Sequence, residues 1–265
     1  MDYQRFETLL VHLESDHVMV ITLNRPDSLN AFNSQMSREL VEIFEEIGMD
    51  SDTLRCIILT GKGDRAFCAG ADLKERNNMS DEQWSLQHRI FERMVRAIRD
   101  CPIPTIGAIN GYAYGGGCEI AGLLDFLYAS QTASFALPET TLGIMPGAGG
   151  SQTLSRAVGE RRAKELIFTA QPFSADDAYH WGLVNQVLPP SELVPTALKT
   201  AETIATNAPF AVQRVKQSIH RGMQMSLSDA LMYEIESYYR TIPTRDRMEG
   251  VLAFNEKRKP VFEGR

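Results

Sequence analysis

The order of apolar and polar positions divides the chain into strand-length and helix-length runs. Residues 8–13 and 18–24 read as two strands joined into a hairpin by Ser15-Asp16-His17, and Arg25-Pro26-Asp27-Ser28 ends the second. Met36, Leu40, Ile43, Phe44 and Ile47 fall on one helical face, with Ser34 as the expected N-cap and Gly48 at the C-terminal stop. Residues 54–60 read as an apolar strand of the kind found in a sheet covered on both faces. After the turn Gly61-Lys62-Gly63-Asp64, Ser80 opens a helix whose apolar residues are Trp84, Ile90, Phe91, Met94, Val95 and Ile98. Pro102 and Pro104 frame the next strand, which runs to Ile109. A glycine-rich stretch occupies 111–150, with helices expected at 147–158 and 160–168. Ser174 caps a short helix ending at Gly182, and 183–187 read as a strand. From there the pattern is helical only, over 191–206, 209–221, 226–240 and 244–257. Strand–helix alternation followed by a helical tail predicts an α/β protein with a mostly parallel sheet. The composition shifts at Pro189-Pro190, which divides the chain into 1–189 and 190–265, and a tail of about 75 residues is short for an independent domain.

Composition narrows the class. With 265 residues, 43% hydrophobic and 23% charged, the chain can build one sizeable core. No apolar run approaches the ~20 residues of a membrane span, and residues 1–16 lack the apolar core of a signal peptide. A cytoplasmic protein with no membrane partner is therefore expected. The net charge of −7 argues against a surface that coats nucleic acid, while a small anionic ligand would need only a few local cations. Cys56, Cys68, Cys101 and Cys118 show no CxxC pairing and read as buried free thiols. The five histidines show neither HExxH nor HxH spacing, so no metal site is expected.

Candidate chemistry gathers in the glycine-rich stretch. It opens with Gly111-Tyr112-Ala113-Tyr114-Gly115-Gly116-Gly117-Cys118-Glu119. Successive glycines beside a carboxylate suit a place where backbone N–H groups approach a ligand with no side chain between them. The helix that begins there offers unpaired donors that can stabilise negative charge. Glu119 sits in its first turn, and Glu139 follows twenty residues later, after the apolar run 135–137. Two carboxylates beside such a site suggest acid/base chemistry on a species that becomes an enolate or alkoxide. The stretch matches neither GxGxxG, because Ile120 stands at the last glycine, nor the GxSxG nucleophile elbow. Arg76 reads as a solvated surface charge.

At these residues the chain resembles the crotonase superfamily, the enoyl-CoA hydratases and isomerases. The matching pieces are Phe67-Cys68-Ala69-Gly70-Ala71-Asp72-Leu73-Lys74, the stretch 111–119, and Leu137-Pro138-Glu139 through Gly150. Flanking matches are Leu23-Asn24-Arg25-Pro26 with Leu29-Asn30-Ala31, and Gly182-Leu183-Val184-Asn185. The resemblance implies a spiral of ββα units with a C-terminal helical trimerisation region, assembled as a homohexamer (a dimer of trimers). It implies an enoyl-CoA hydratase, a hydro-lyase that adds water reversibly and syn across the 2,3 double bond of a 2-enoyl-CoA thioester. The N–H groups of Ala71 and Gly116 would form the oxyanion hole, and Glu119 and Glu139 would be the catalytic pair. Coenzyme A would be part of the substrate and no further cofactor would be needed. Contacts to it would come from Arg25, Ser28, Leu29, Ala31, Ala69, Asp72, Leu73 and Lys74, and from Phe254 and Lys257 of a neighbouring subunit. Alternatives within the family are an enoyl-CoA delta-isomerase, which shuttles one proton with one Glu, and a methylglutaconyl-CoA hydratase-like enzyme. One hydratase of the family also binds AU-rich RNA through a lysine-rich first helix. The matching helix here carries Arg38 against Glu39, Glu42, Glu45 and Glu46, so no nucleic-acid partner is expected. Trp84, Ile90 and Leu142 are the candidates for selecting the acyl chain.

Overall fold

The computed structural model describes residues 5–49, 51 and 53–265. Strand β1 (Leu9–Ser15) pairs antiparallel with β2 (Val18–Leu23), and helix α1 (Ser34–Met49) follows. The chain then repeats one plan: a strand in a six-stranded sheet, a short strand in a four-stranded sheet, and a helix. The first turn is β3 (Cys56–Gly61), β4 (Ala66–Cys68) and α2 (Asp81–Arg99). The second is β5 (Thr105–Ile109), β6 (Tyr112–Tyr114) and α3 (Gly116–Ala121). The third is β7 (Phe126–Ser130) and β8 (Ser134–Ala136), followed by α4 (Gly150–Val158) and α5 (Glu160–Thr169). The short strand β9 (Phe173–Ser174), α6 (Ala175–His180) and β10 (Gln186–Leu188) complete the sheets. The strand orders are β1-β2-β3-β5-β7-β10 and β4-β6-β8-β9, parallel throughout except at β1 and β9. This is the spiral of ββα units that the resemblance implied.

Alternation along the buried strands explains how the large sheet is covered. Met19, Ile21, Leu23, Ile57 and Leu59 face one core, which α1 fills with Met36, Leu40, Ile43, Phe44 and Ile47. Val18, Val20, Cys56, Ile58, Ile106 and Ala108 face the other side. Helix α7 (Pro190–Ala205) covers that side with Leu193, Ala197, Ala201 and Ala205, spaced four apart and mostly small, so the helix approaches the strands closely. Three further helices, α8 (Pro209–Gly222), α9 (Leu227–Tyr239) and α10 (Arg245–Glu256), follow. Lys216 on α8 ties it to the sheet through Asp125 Oδ2 at 2.7 Å and the Ile103 carbonyl at 2.8 Å. Elsewhere these helices leave Ile219, Met223, Leu231, Met232, Val251 and Leu252 half or more exposed.

Local departures from the expected elements have identifiable causes. The cap of α1 is Asn33, whose Oδ1 accepts the Met36 N–H at 2.9 Å; Ser34 is already helical. Ser80 does cap α2, reciprocally with Gln83. Strands β6 and β7 were not expected; each is short and lies within the glycine-rich stretch, which masks strand periodicity. Residues 147–149 are not helical, because Gly149 adopts a φ of +107° and α4 begins only at Gly150. The last strand begins at Gln186, three residues later than its apolar run suggested.

Candidate active site

The strands β4, β6 and β8 run parallel, and the segments leaving their C-terminal ends meet at one cavity. The contact between the first two is too close for side chains. A Cβ on Gly117 would stand 2.0 Å from the Cys68 carbonyl oxygen, and one on Gly116 would stand 2.5 Å from Cε1 and Cζ of Phe32. Gly70, at φ +96°, brings its Cα so close that a Cβ would stand 3.2 Å from the Gly116 nitrogen. Hydrogen bonds fix the flanking backbone. Phe32 N–H donates to Gly70 O at 2.9 Å, Asp72 N–H to Phe32 O at 2.9 Å, and Gly115 N–H to Ala136 O at 2.9 Å. Among the described residues this leaves the N–H groups of Ala71 and Gly116, both at the cavity, without a protein acceptor.

The two carboxylates share the cavity but not their surroundings. Glu119 is 3% exposed, and its Oε1 accepts N–H bonds from Ala148 at 2.7 Å and Gly150 at 2.8 Å. Burial raises its pKa, and these donors oppose the rise by favouring the ionised form. Glu139 follows Pro138 and begins a 3-10 turn, Glu139–Leu142. Its buried Oε2 has no hydrogen-bond partner among the described residues. Burial pushes its pKa up to about 7, and the charge of Glu119 adds to the shift. Burial thus raises both carboxylates, but donors oppose the rise at Glu119 while Glu139 Oε2 has none.

The cavity encloses about 940 Å³. Of the expected site residues, Ala69, Ala71, Leu73, Gly116, Glu119 and Glu139 line it. Arg25, Ser28, Leu29, Ala31, Asp72, Lys74, Phe254 and Lys257 are not among its lining residues. Arg25 instead braces the wall, donating to Asp72 Oδ2 at 2.8 Å and to the Ala31 carbonyl at 2.5 Å. Burial would raise the Asp72 pKa, but the Arg25 hydrogen bond and the N–H groups of Lys74 and Glu75 hold it below the usual range. Leu29 adopts a φ of +51°, and its carbonyl accepts the Ala69 N–H at 3.0 Å; Ser28 accepts the Ala31 N–H at 3.0 Å. The Lys74 side chain is exposed, and the Lys74 backbone N–H donates to Asp72 Oδ1 at 3.0 Å. Phe254 is 82% exposed near the end of α10, which Lys257 caps at a φ of +56°.

Several contributors escaped the sequence reading. The N–H groups of Ala148 and Gly150 reach Glu119 because of the φ of Gly149, which residue identity alone does not announce. Phe32 lines the cavity from beside Gly116. Arg76 requires a correction: it is no solvated surface charge but lines the cavity, with its guanidinium 4.0 Å from the Trp84 ring centroid and 5.0 Å from that of Phe91. Trp84 and Leu142 line the cavity as expected for acyl selection, whereas Ile90 packs against the core. All four cysteines are buried and free, and burial pushes Cys68 up to about 12 and Cys118 further still, so neither is a ready thiolate.

Comparison with known proteins agrees with this geometry. The family model for enoyl-CoA hydratase/isomerase matches residues 14–265. A short-chain-enoyl-CoA hydratase of Clostridium acetobutylicum is 46% identical over 91% of this chain and 92% of its own length. A crotonyl-CoA hydratase of Syntrophomonas wolfei is 37% identical over 97% of this chain and 98% of its own. The crystal structure of an enoyl-CoA hydratase from Bacillus anthracis superposes with a TM-score of 0.95 at 42% identity, covering 98% of this chain and all of that one. The chain therefore belongs to the enoyl-CoA hydratase/isomerase family.

Proposed function

We propose that the protein is an enoyl-CoA hydratase, a hydro-lyase acting on 2-enoyl-CoA thioesters. The observation that carries this is the pair of buried carboxylates, one hydrogen-bonded by backbone N–H groups and one with an unpartnered oxygen, facing one cavity beside two unpaired backbone N–H groups. The donors of Ala71 and Gly116 receive the thioester oxygen, and they strengthen as charge develops on it. Carbon 3 becomes electrophilic. Glu119, kept ionisable by Ala148 and Gly150, takes a proton from water as the water oxygen bonds to carbon 3. The electron pair of the double bond moves into the enolate. Glu139, which holds a proton near neutral pH, delivers it to carbon 2 as the enolate collapses. The net change is one water added, and proton exchange between the carboxyl groups resets the pair. The thioester is the electron sink, so the step uses no redox group, and coenzyme A enters only as part of the substrate.

The ordered turn around Arg25, Ser28, Leu29, Ala31 and Asp72, with Lys74, is the proposed seat of the coenzyme A moiety, and Ala69 and Leu73 lead from it into the cavity. The exposed apolar side chains of α8, α9 and α10 support assembly into a homohexamer, in which Phe254 and Lys257 reach a neighbour's ligand. Among the described residues no helix is long and apolar enough to cross a membrane, and cytoplasmic localisation is proposed on the likeness to bacterial enzymes. Hydration of crotonyl-CoA, followed by loss of the conjugated thioester absorbance, tests the activity. No turnover by purified protein would refute it.

A further inference from the structure

Arg76 is the feature of the cavity that hydration of a simple enoyl chain does not use. Its Nε donates to Gln87 Oε1 at 2.8 Å, but among the described residues its two Nη groups have no acceptor. The guanidinium is half-buried against Trp84 and Phe91; burial lowers its pKa, and the charge of Glu75 opposes that shift. Nearby carboxylates are engaged elsewhere. Glu75 Oε2 accepts the Ser34 N–H at 2.9 Å and Gln87 Nε2 at 2.8 Å. Glu92, also on the cavity wall, pairs with Arg96 at 3.1 Å. The position relative to the chemistry follows from α2. Trp84, His88 and Phe91 recur at helical spacing on one face, and all three line the cavity. His88 packs on Gly147, where a Cβ would stand 2.9 Å from its Cε1, and Ala148 next in sequence holds Glu119. Arg76 therefore shares with His88, through the α2 face of Trp84 and Phe91, the cavity wall that also carries the clamp of Glu119.

We infer that Arg76 reads a carboxylate at the far end of the acyl group, so that the preferred substrate is the enoyl thioester of a short dicarboxylic acid. This rests on the hydratase reading above. A planar guanidinium with both Nη groups free matches a carboxylate in a bidentate fork, and stacking on Trp84 and Phe91 fixes its plane. An apolar chain end would leave those donors without a partner on the substrate.

The test is kcat/KM for glutaconyl-CoA and for the uncharged 2-hexenoyl-CoA, on wild type, Arg76→Met and Arg76→Lys. Wild type should prefer glutaconyl-CoA. Arg76→Met keeps the apolar stem, and its preference ratio should fall by about 100-fold, the usual scale for losing one partner of a buried charge pair; Arg76→Lys should fall between. Equal loss on both substrates, as expected of a structural role or a contact to the coenzyme A phosphates, would overturn the inference, as would an unchanged ratio. Wild type that hydrates 2-hexenoyl-CoA without preferring glutaconyl-CoA overturns this inference alone; wild type that hydrates neither overturns the hydratase reading with it. Should Arg76→Met fail to fold, inhibition of wild type by the unreactive glutaryl-CoA and hexanoyl-CoA decides. Tighter inhibition by glutaryl-CoA, weakening with salt, supports the inference, and equal inhibition overturns it.

Discussion

Adding one methyl group at Gly116 tests the oxyanion site without touching either carboxylate. In Gly116→Ala the new Cβ would stand 2.5 Å from both Cε1 and Cζ of Phe32. Carbon atoms pack at about 3.5–4.0 Å, so one partner must retreat by roughly 1 Å. Phe32 has little room: it is 2% exposed and meets Phe91 edge-to-face with ring centroids 4.9 Å apart. The backbone at 116 must yield instead, and its N–H moves with it. A misplacement of ~1 Å at a reacting group costs on the order of 10²-fold in rate, and loss of one oxyanion donor costs about 10²–10³-fold. The expected result is a 10²- to 10³-fold fall in kcat for crotonyl-CoA, with overpacking lowering stability by about 1–3 kcal/mol. Steady-state kinetics and urea unfolding measure the two effects separately. The double variant Gly116→Ala with Phe32→Leu relieves the clash, so it should regain stability and part of the rate. Wild-type kcat in Gly116→Ala would refute the assignment of this N–H to the thioester oxygen. Recovered stability with no recovered rate in the double variant would show that the clash itself is not what misplaces the donor.

Glu119→Gln should lose hydration by ~10²–10⁴-fold yet retain some isomerisation of 3-enoyl-CoA, whereas Glu139→Gln should lose both; near-wild-type hydration by Glu119→Gln would leave the isomerase reading in front. Because hydration needs the acid form of Glu139, kcat should decline as pH rises through about 7. The stability sign follows from the same group: its folded pKa is raised, so the folded protein binds more protons, and the contribution present at low pH is lost as pH rises through about 7. Glu139→Gln should remove that slope, which chemical unfolding at a series of pH values measures. Arg25→Ala leaves the partly buried Asp72 carboxylate without its cation, so it should destabilise the 25–31 turn and raise KM for every CoA thioester, whatever its acyl chain. Light scattering should give six times the chain mass at micromolar concentration, and a monomer would contradict the proposed assembly.

What the sequence made legible, and what it hid, divides along a physical line. Glu119 and Glu139 were legible because their chemistry is carried by residue type and by motifs local in the chain. The glycines at 115, 116 and 117 were legible as close approach, since small residues in series have few other uses. The clamp on Glu119 was not legible, because N–H direction at Ala148 and Gly150 depends on one φ value at Gly149. Arg76 was misread for a related reason: its environment is made by Trp84 and Phe91, which reach it only once α2 has packed. Asn33 took the cap from Ser34 because both are good caps, and only the backbone's point of turning into helix decides between them.

One structural event, repeated, accounts for the site. Each turn of the spiral lays a short strand in the small sheet and then breaks from it, and β4, β6 and β8 are parallel, so the breaks fall side by side. The first break presents the Ala71 N–H, the second presents the Gly116 N–H and Glu119, and the third presents Glu139. Residues far apart in the chain thus become neighbours through the register of one sheet rather than through any local motif. The arrangement also explains why the two carboxylates differ. Glu119 points back toward the start of α4, where a turn supplies donors to its Oε1. Glu139 begins its own turn, and its Oε2 is buried with no donor. A buried, unsatisfied carboxylate oxygen is normally avoided, and under the proposed mechanism one retained beside a clamped carboxylate serves the proton delivery that addition of water to a double bond requires.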